Sequence, residues 1–188
     1  MVMRRGLAML AFCASTLAFA PVHRRPSMST LGASMNVNDI VDKAYEGKSF
    51  AELAASPVSA LQGMADWTDA VGEDLKIPTV GQLGRWKYFL WARALADLAE
   101  HEMPDRRVDG STLNANKALD EAHEGKTITE ILALPPSALQ GIAEHSDADL
   151  AKLKVRTVAD LGTWKFAIAA SAIATLAEVE SGDLGEHR

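Results

Sequence analysis

Cysteine occurs once in this chain of 188 residues, at Cys13, while histidine occurs five times and tyrosine twice. A disulfide framework needs paired thiols and a metal cage needs several converging ligands, so both lack raw material here. Acid is missing from one region. Up to Val37 there is no Asp or Glu, whereas Arg4, Arg5, Arg24 and Arg25 all lie there. Removing those four from the 19 basic residues leaves 15 against 25 acids, a charge of about −10 on the remainder. Such a surface repels phosphate backbones and favours a basic partner, or a cationic patch on a larger complex. Long apolar runs are also lacking. The run Gly6 to Phe12, continuing through Ala14 and Leu17, falls short of the roughly 20 residues of a bilayer span, and no span is predicted in the remainder.

What is present begins with an address. Met1 to Ala20 has a basic start, an apolar stretch and small residues at Thr16 and Ala18, the layout of a secretory signal peptide. The segment Ala14-Ser15-Thr16-Leu17-Ala18-Phe19-Ala20-Pro21 resembles the Ala-Phe-Ala-Pro type junction of bipartite plastid-targeting leaders in diatoms, cryptophytes and haptophytes. The stretch that follows, His23 to Thr30, is basic, hydroxylated and acid-free, as a transit peptide should be. The same residues also allow an ordinary secretory signal followed by a loose tail. The resemblance implies a leader over 1–37, with the signal peptide about 1–18 and the transit peptide about 19–37, and import into a secondary plastid of the red lineage. Cys13 would leave with the leader. No second apolar segment asks for transport into the thylakoid lumen, so the stroma or the stromal face of the thylakoid is the expected location.

Beyond the leader the chain repeats itself. With an offset of 78 and no gap, Asp42 to Glu100 lies over Asp120 to Glu178, and roughly half the positions are identical. Pro57-Val58-Ser59-Ala60-Leu61-Gln62-Gly63 meets Pro135-Pro136-Ser137-Ala138-Leu139-Gln140-Gly141, and Thr79-Val80 with Leu83-Gly84 and Trp86-Lys87 meets Thr157-Val158 with Leu161-Gly162 and Trp164-Lys165. The expected fold is all-α: two tandem pseudo-symmetric helical repeats, 38–103 and 115–181, with a linker at 104–114 and a tail at 182–188.

Each repeat reads as helical. A helix is predicted from about Asn38 to Glu46, closed at Gly47. Ser49 with Glu52, and Thr127 with Glu130, make capping boxes. Asp66 or Ser146 is placed to cap a helix ending near Leu75 or Leu153, and Thr79 and Thr157 to cap the next turn. A long helix over about Gly84 to Glu102 places Leu83, Trp86, Leu90, Ala94 and Leu98 on one stripe, matched by Leu161, Trp164, Ile168, Ala172 and Leu176. That stripe is expected to be buried.

The segment Leu61-Gln62-Gly63-Met64-Ala65-Asp66 followed by Leu75-Lys76-Ile77-Pro78-Thr79-Val80 resembles a helix-hairpin-helix unit, and Leu139 to Leu161 resembles it again. The resemblance implies either a nucleic-acid backbone contact through hairpin amides or a protein-contact module. The second glycine of the hairpin is absent at Ala65 and Ala143, and Asp66, Asp69, Glu73, Glu144, Asp147 and Asp149 surround the would-be phosphate site. Those acids oppose a polyanion, so no nucleic-acid partner is expected.

No catalytic constellation stands out. His101, His123 and His145 are neither three or four residues from another histidine nor at matching places in the two repeats, so no metal, pigment or other cofactor is expected. Positions shared by the repeats, such as Trp86 and Trp164, belong to the fold. Positions that differ are free for a task of one copy: Trp67 faces His145, Phe89 faces Ala167, Trp91 faces Ala169 and Arg93 faces Ser171. Trp, Phe and Arg are enriched at interface centres, so these four are the candidate partner-binding residues. The expected function is a non-catalytic scaffold or linker subunit in a plastid complex, with photosystem or antenna subunits as partners and peripheral membrane contact. The alternatives are an enzyme or ligand carrier with a pocket between the repeats, and a nucleic-acid binder.

Overall fold

A computed structural model describes residues 35–181, so the targeting leader over 1–34 and the tail over 182–188 lie outside the described residues. Among the described residues the chain is built of helices and turns, with no strand and only isolated antiparallel bridges, at Val41 with Leu61, Pro57 with Thr79 and Leu119 with Leu139. The helices are α1 (Phe50–Ala55), α2 (Trp67–Asp74), α3 (Val80–Gly84), α4 (Lys87–Ala99), α5 (Ile128–Leu132), α6 (Glu144–Lys152), α7 (Val158–Gly162) and α8 (Lys165–Leu176).

The four capping boxes fix four of these starts. Ser49 and Thr127 receive the amides of Glu52 and Glu130, and Thr79 and Thr157 receive those of Gln82 and Asp160, while each partner side chain returns to its cap's backbone amide. Orphan donors of the first turn are thereby satisfied on both sides. Asp66 and Ser146 do not cap: Asp66 has helical backbone and no capping bond, and Ser146 lies inside α6. The acids of those helices are used elsewhere. Asp69 accepts from the amide and hydroxyl of Ser59 at 2.9 and 2.8 Å, and Asp147 accepts from the amide of Ser137 at 2.9 Å, tying α2 and α6 to the turns before them.

The helix expected over 38–46 is not formed; only the 3-10 turn Lys43–Tyr45 is. Its backbone is engaged elsewhere. The amide of Asp42 donates to Ala60 at 2.9 Å and that of Gln62 to Ile40 at 3.0 Å, and a peptide group joined to a distant segment cannot also close an i to i+4 ring. Asp120 and Gln140 make the same pair of bonds with Ala138 and Ala118, both at 3.0 Å.

The predicted long closing helix is broken as well. α3 ends at Gly84, Trp86 is extended, and α4 starts afresh at Lys87. The break sets how the halves meet. α3 packs on α8 and α4 on α7, while α1 lies against α8 and α5 against α4, so each long helix rests on the short helices of the other half. A Cβ added to Gly84 would strike the carbonyl of Ala170, and one added to Gly162 would strike the carbonyl of Ala92. One continuous core results, in which Leu83, Phe89, Ala92, Leu139, Leu161, Ala170 and Ile173 are all buried.

Candidate functional site

The crossed packing decides which face of each long helix stays open. On α4 the buried positions are Phe89, Ala92 and Leu95, and on α8 they are Ala167, Ala170, Ile173 and Ala174. The stripe expected in the core is therefore turned outward beyond Trp86 and Trp164. Leu90 is 43% and Leu98 55% exposed on α4, and Ile168 is 38% and Leu176 40% exposed on α8. Ala94 and Ala172, also exposed, fill the gaps. Residues at i, i+4 and i+8 stand one above another, so each triad makes an apolar ridge about 12 Å long. The cause lies in the two glycines. Where backbones approach to the limit, the facing residue must be small, so Ala92 and Ala170 occupy the buried seam and the leucines are left on the flank.

The four candidate residues have separate fates. Trp67 opens α2 and is 52% exposed. Phe89 is 2% exposed and belongs to the core, out of a partner's reach in the folded state. Trp91 is half-buried, edge-on to Tyr88 at 5.6 Å, and the Lys87 ammonium lies 4.6 Å from the Tyr88 ring and 5.1 Å from that of Trp91. Arg93 forms an ion pair with Asp97 at 2.8 Å, one turn on. Trp91 and Arg93 thus share α4 with the Leu90 ridge, whereas Trp67 makes no ring contact with them among the described residues. The ridges escaped sequence reasoning because Leu90 and Leu98 carry the same helical period as a core stripe. The neighbouring alanines, repeated at Ala92 and Ala170, were the available signal.

Acid-base chemistry finds little to work with at the surface. Glu52 and Glu130 have carboxyls held below the usual range, chiefly by the backbone amides of Ser49 and Thr127 and then by their hydroxyls. Both are capping groups. Among the described residues no three or more His, Cys, Asp and Glu side chains cluster as metal ligands. His101 and His145 are exposed, and His123 is half-buried with its Nδ1 unpaired. No helix among the described residues is long and apolar enough to cross a membrane.

The hairpin glycines are not bare. Gly63 and Gly141 have φ of +94° and +100°. The Phe166 ring lies 3.7 Å from the point a Cβ on Gly63 would occupy, and the Tyr88 hydroxyl 2.6 Å from that of Gly141. An aromatic from each long helix thus covers the hairpin of the other half. No protein-family model matches the chain, and no curated protein or solved structure is significantly similar to it.

Proposed function

We propose that this chain is a non-catalytic adaptor: two copies of one helix-hairpin-helix-like unit, locked crosswise, that join a larger plastid assembly through the apolar ridges of α4 and α8. The observation that carries this reading is the pair of ridges, Leu90-Ala94-Leu98 and Ile168-Ala172-Leu176, exposed on helices whose opposite faces are buried. Exposed leucines one turn apart are positioned to enter a groove on a partner. The partner is a protein surface that is apolar at its centre and basic at its rim, since the chain beyond the leader carries about −10. The leader points to the plastid, and the photosystem or antenna complexes at the stromal face are the assemblies this address suggests. The equal lengths of α3 and α7, 78 positions apart and with the same capping pattern, support the duplication.

The covered hairpins speak against a nucleic-acid module. A phosphate approaching the Gly63 or Gly141 turn would meet Phe166 or Tyr88 before it met an amide.

The test is affinity purification of the tagged chain from its own plastid, comparing the natural protein with Leu90→Gln/Leu98→Gln. The adaptor reading expects a plastid complex to co-purify with the natural chain and to be lost with the double variant at unchanged helicity. Recovery of the same complex by both proteins would refute the ridge as its binding surface.

A further inference from the structure

On a chain this acidic, one groove is basic. It has a volume of about 600 Å³, it is lined by Lys76, Arg85 and Lys87 together with Ala51, Ala54 and Ile77, and no Asp or Glu lines it. All its lining residues come from the first half. The corresponding place in the second half has Thr163 for Arg85 and Asp160 for Gln82, so it carries one cation fewer and one carboxylate more.

The three cations are not equally engaged. The Arg85 guanidinium donates to the Ala174 carbonyl at 3.0 Å and to Glu178 at 2.7 Å, which leaves its charge largely balanced. Lys76 and Lys87 have no carboxylate partner among the described residues. Lys76 is moreover the residue that closes α2 in the left-handed region, at φ 60°, a place where glycine is the usual choice. Its amide donates to Glu73 at 3.0 Å and that of Ile77 to Gly72 at 2.7 Å, the paired bonds of a Schellman motif.

We infer that this groove binds a small organic anion, with a carboxylate or phosphate head at Lys76 and Lys87 and an apolar body along Ala51, Ala54 and Ile77. Its volume falls in the roughly 300–1,000 Å³ range of small-molecule sites. Two lysines without counter-ions supply charge-assisted donors to the head, and the alanine face supplies apolar contact without walls that would exclude a ring. The inference stands apart from the adaptor reading, because no ridge residue lines the groove.

The left-handed Lys76 makes the test clean. Lys76→Gly removes the charge while relieving the backbone, so it raises the melting temperature, and any loss of binding is not a loss of fold. Lys154→Gly, at the equivalent left-handed position with φ 63°, is the control. The full chain is titrated with phenyl phosphate, 3-phenylpropionate and inorganic phosphate, following the NMR signals of the Gln82 side-chain amide and the Trp86 and Trp164 indoles.

Expected is saturable movement of the Gln82 and Trp86 signals with at least one of the two phenyl anions, which tells a phosphate head from a carboxylate. Inorganic phosphate should bind more weakly. Lys76→Gly should weaken binding about tenfold, the effect of one charge-assisted contact, and Lys154→Gly should leave it unchanged. Lys76→Asn, also tolerated in the left-handed region, repeats the measurement should the glycine variant not fold. No saturable movement with either phenyl anion, equal movement at Trp164, or unaltered affinity in Lys76→Gly would each overturn the site.

Discussion

Gly84 lies so close to the carbonyl of Ala170 that no β-carbon fits between them, and Gly162 stands in the same relation to Ala92. Both contacts join one half of the chain to the other. The obstacle is backbone, which cannot rotate aside as a side chain would. Gly84→Ala and Gly162→Ala should therefore each destabilise the protein by about 3 kcal/mol, toward the upper end for overpacking. Gly110→Ala, with open space around it but φ of +78°, should cost about 1 kcal/mol. Urea denaturation midpoints check this; a Gly84→Ala cost no larger than that of Gly110→Ala would mean the helices can move apart freely.

The crossing is repeated in the caps. Glu180 accepts from the amides of Phe50 and Ala51, both at 2.9 Å, and Glu102 accepts from Ile128 at 2.8 Å and Thr129 at 3.2 Å. Each glutamate lies beyond the long helix of its own half and serves the first turn of a helix in the other, where unsatisfied amides and the helix dipole favour a carboxylate. Glu102→Ala and Glu180→Ala should each cost about 1 kcal/mol in denaturation, the usual loss for a cap. The double variant should lose the sum, since the two caps share no atom.

The capping boxes make stability depend on acid. Glu52 and Glu130 accept from the amides of Ser49 and Thr127 at 2.9 and 2.8 Å, and their folded pKa values lie below the unfolded value of about 4.3. A carboxyl so depressed contributes stability that is complete above its unfolded pKa and is lost as pH falls through the folded one. Stability should thus decline as pH drops below about 4.3, and Glu52→Gln/Glu130→Gln should flatten the decline. An identical pH profile for the variant would remove the two boxes as the source.

The two faces of α4 should respond in opposite ways. Phe89→Ala empties a core position and should cost about 3–5 kcal/mol. Leu90→Gln/Leu98→Gln changes only exposed positions on a helix that accepts glutamine well, and should shift stability by no more than about 0.5 kcal/mol per site. Thermal melts of the three proteins measure both.

Much of this body was legible in its residues. The helical class, the four capping boxes and the burial of Trp86 and Trp164 follow from local patterns that act within a few positions. The ridges were not legible, because an apolar period of three and four does not say which of two apolar faces wins. Leu90 and Phe89 are equally good core residues, and the choice was made by Gly162 from the other half. The lost helix over 38–46 has the same origin, since the bonds of Asp42 and Gln62 reach outside the local window. Phe89, read as a residue free to serve a partner because it differs from Ala167, differs instead because it fills the core opposite a smaller neighbour.

The ridges are free only because the opposite faces of α4 and α8 are engaged crosswise, so the most direct measurement is on the two halves as separate polypeptides, 35–111 and 112–181. Two-dimensional amide NMR of each alone should show no folded monomer, and mixing them in equal amounts should restore the dispersed spectrum of the intact chain. A half that folds by itself as a monomer, with a spectrum unchanged on mixing, would contradict the crosswise body and with it the surface proposed to meet a partner.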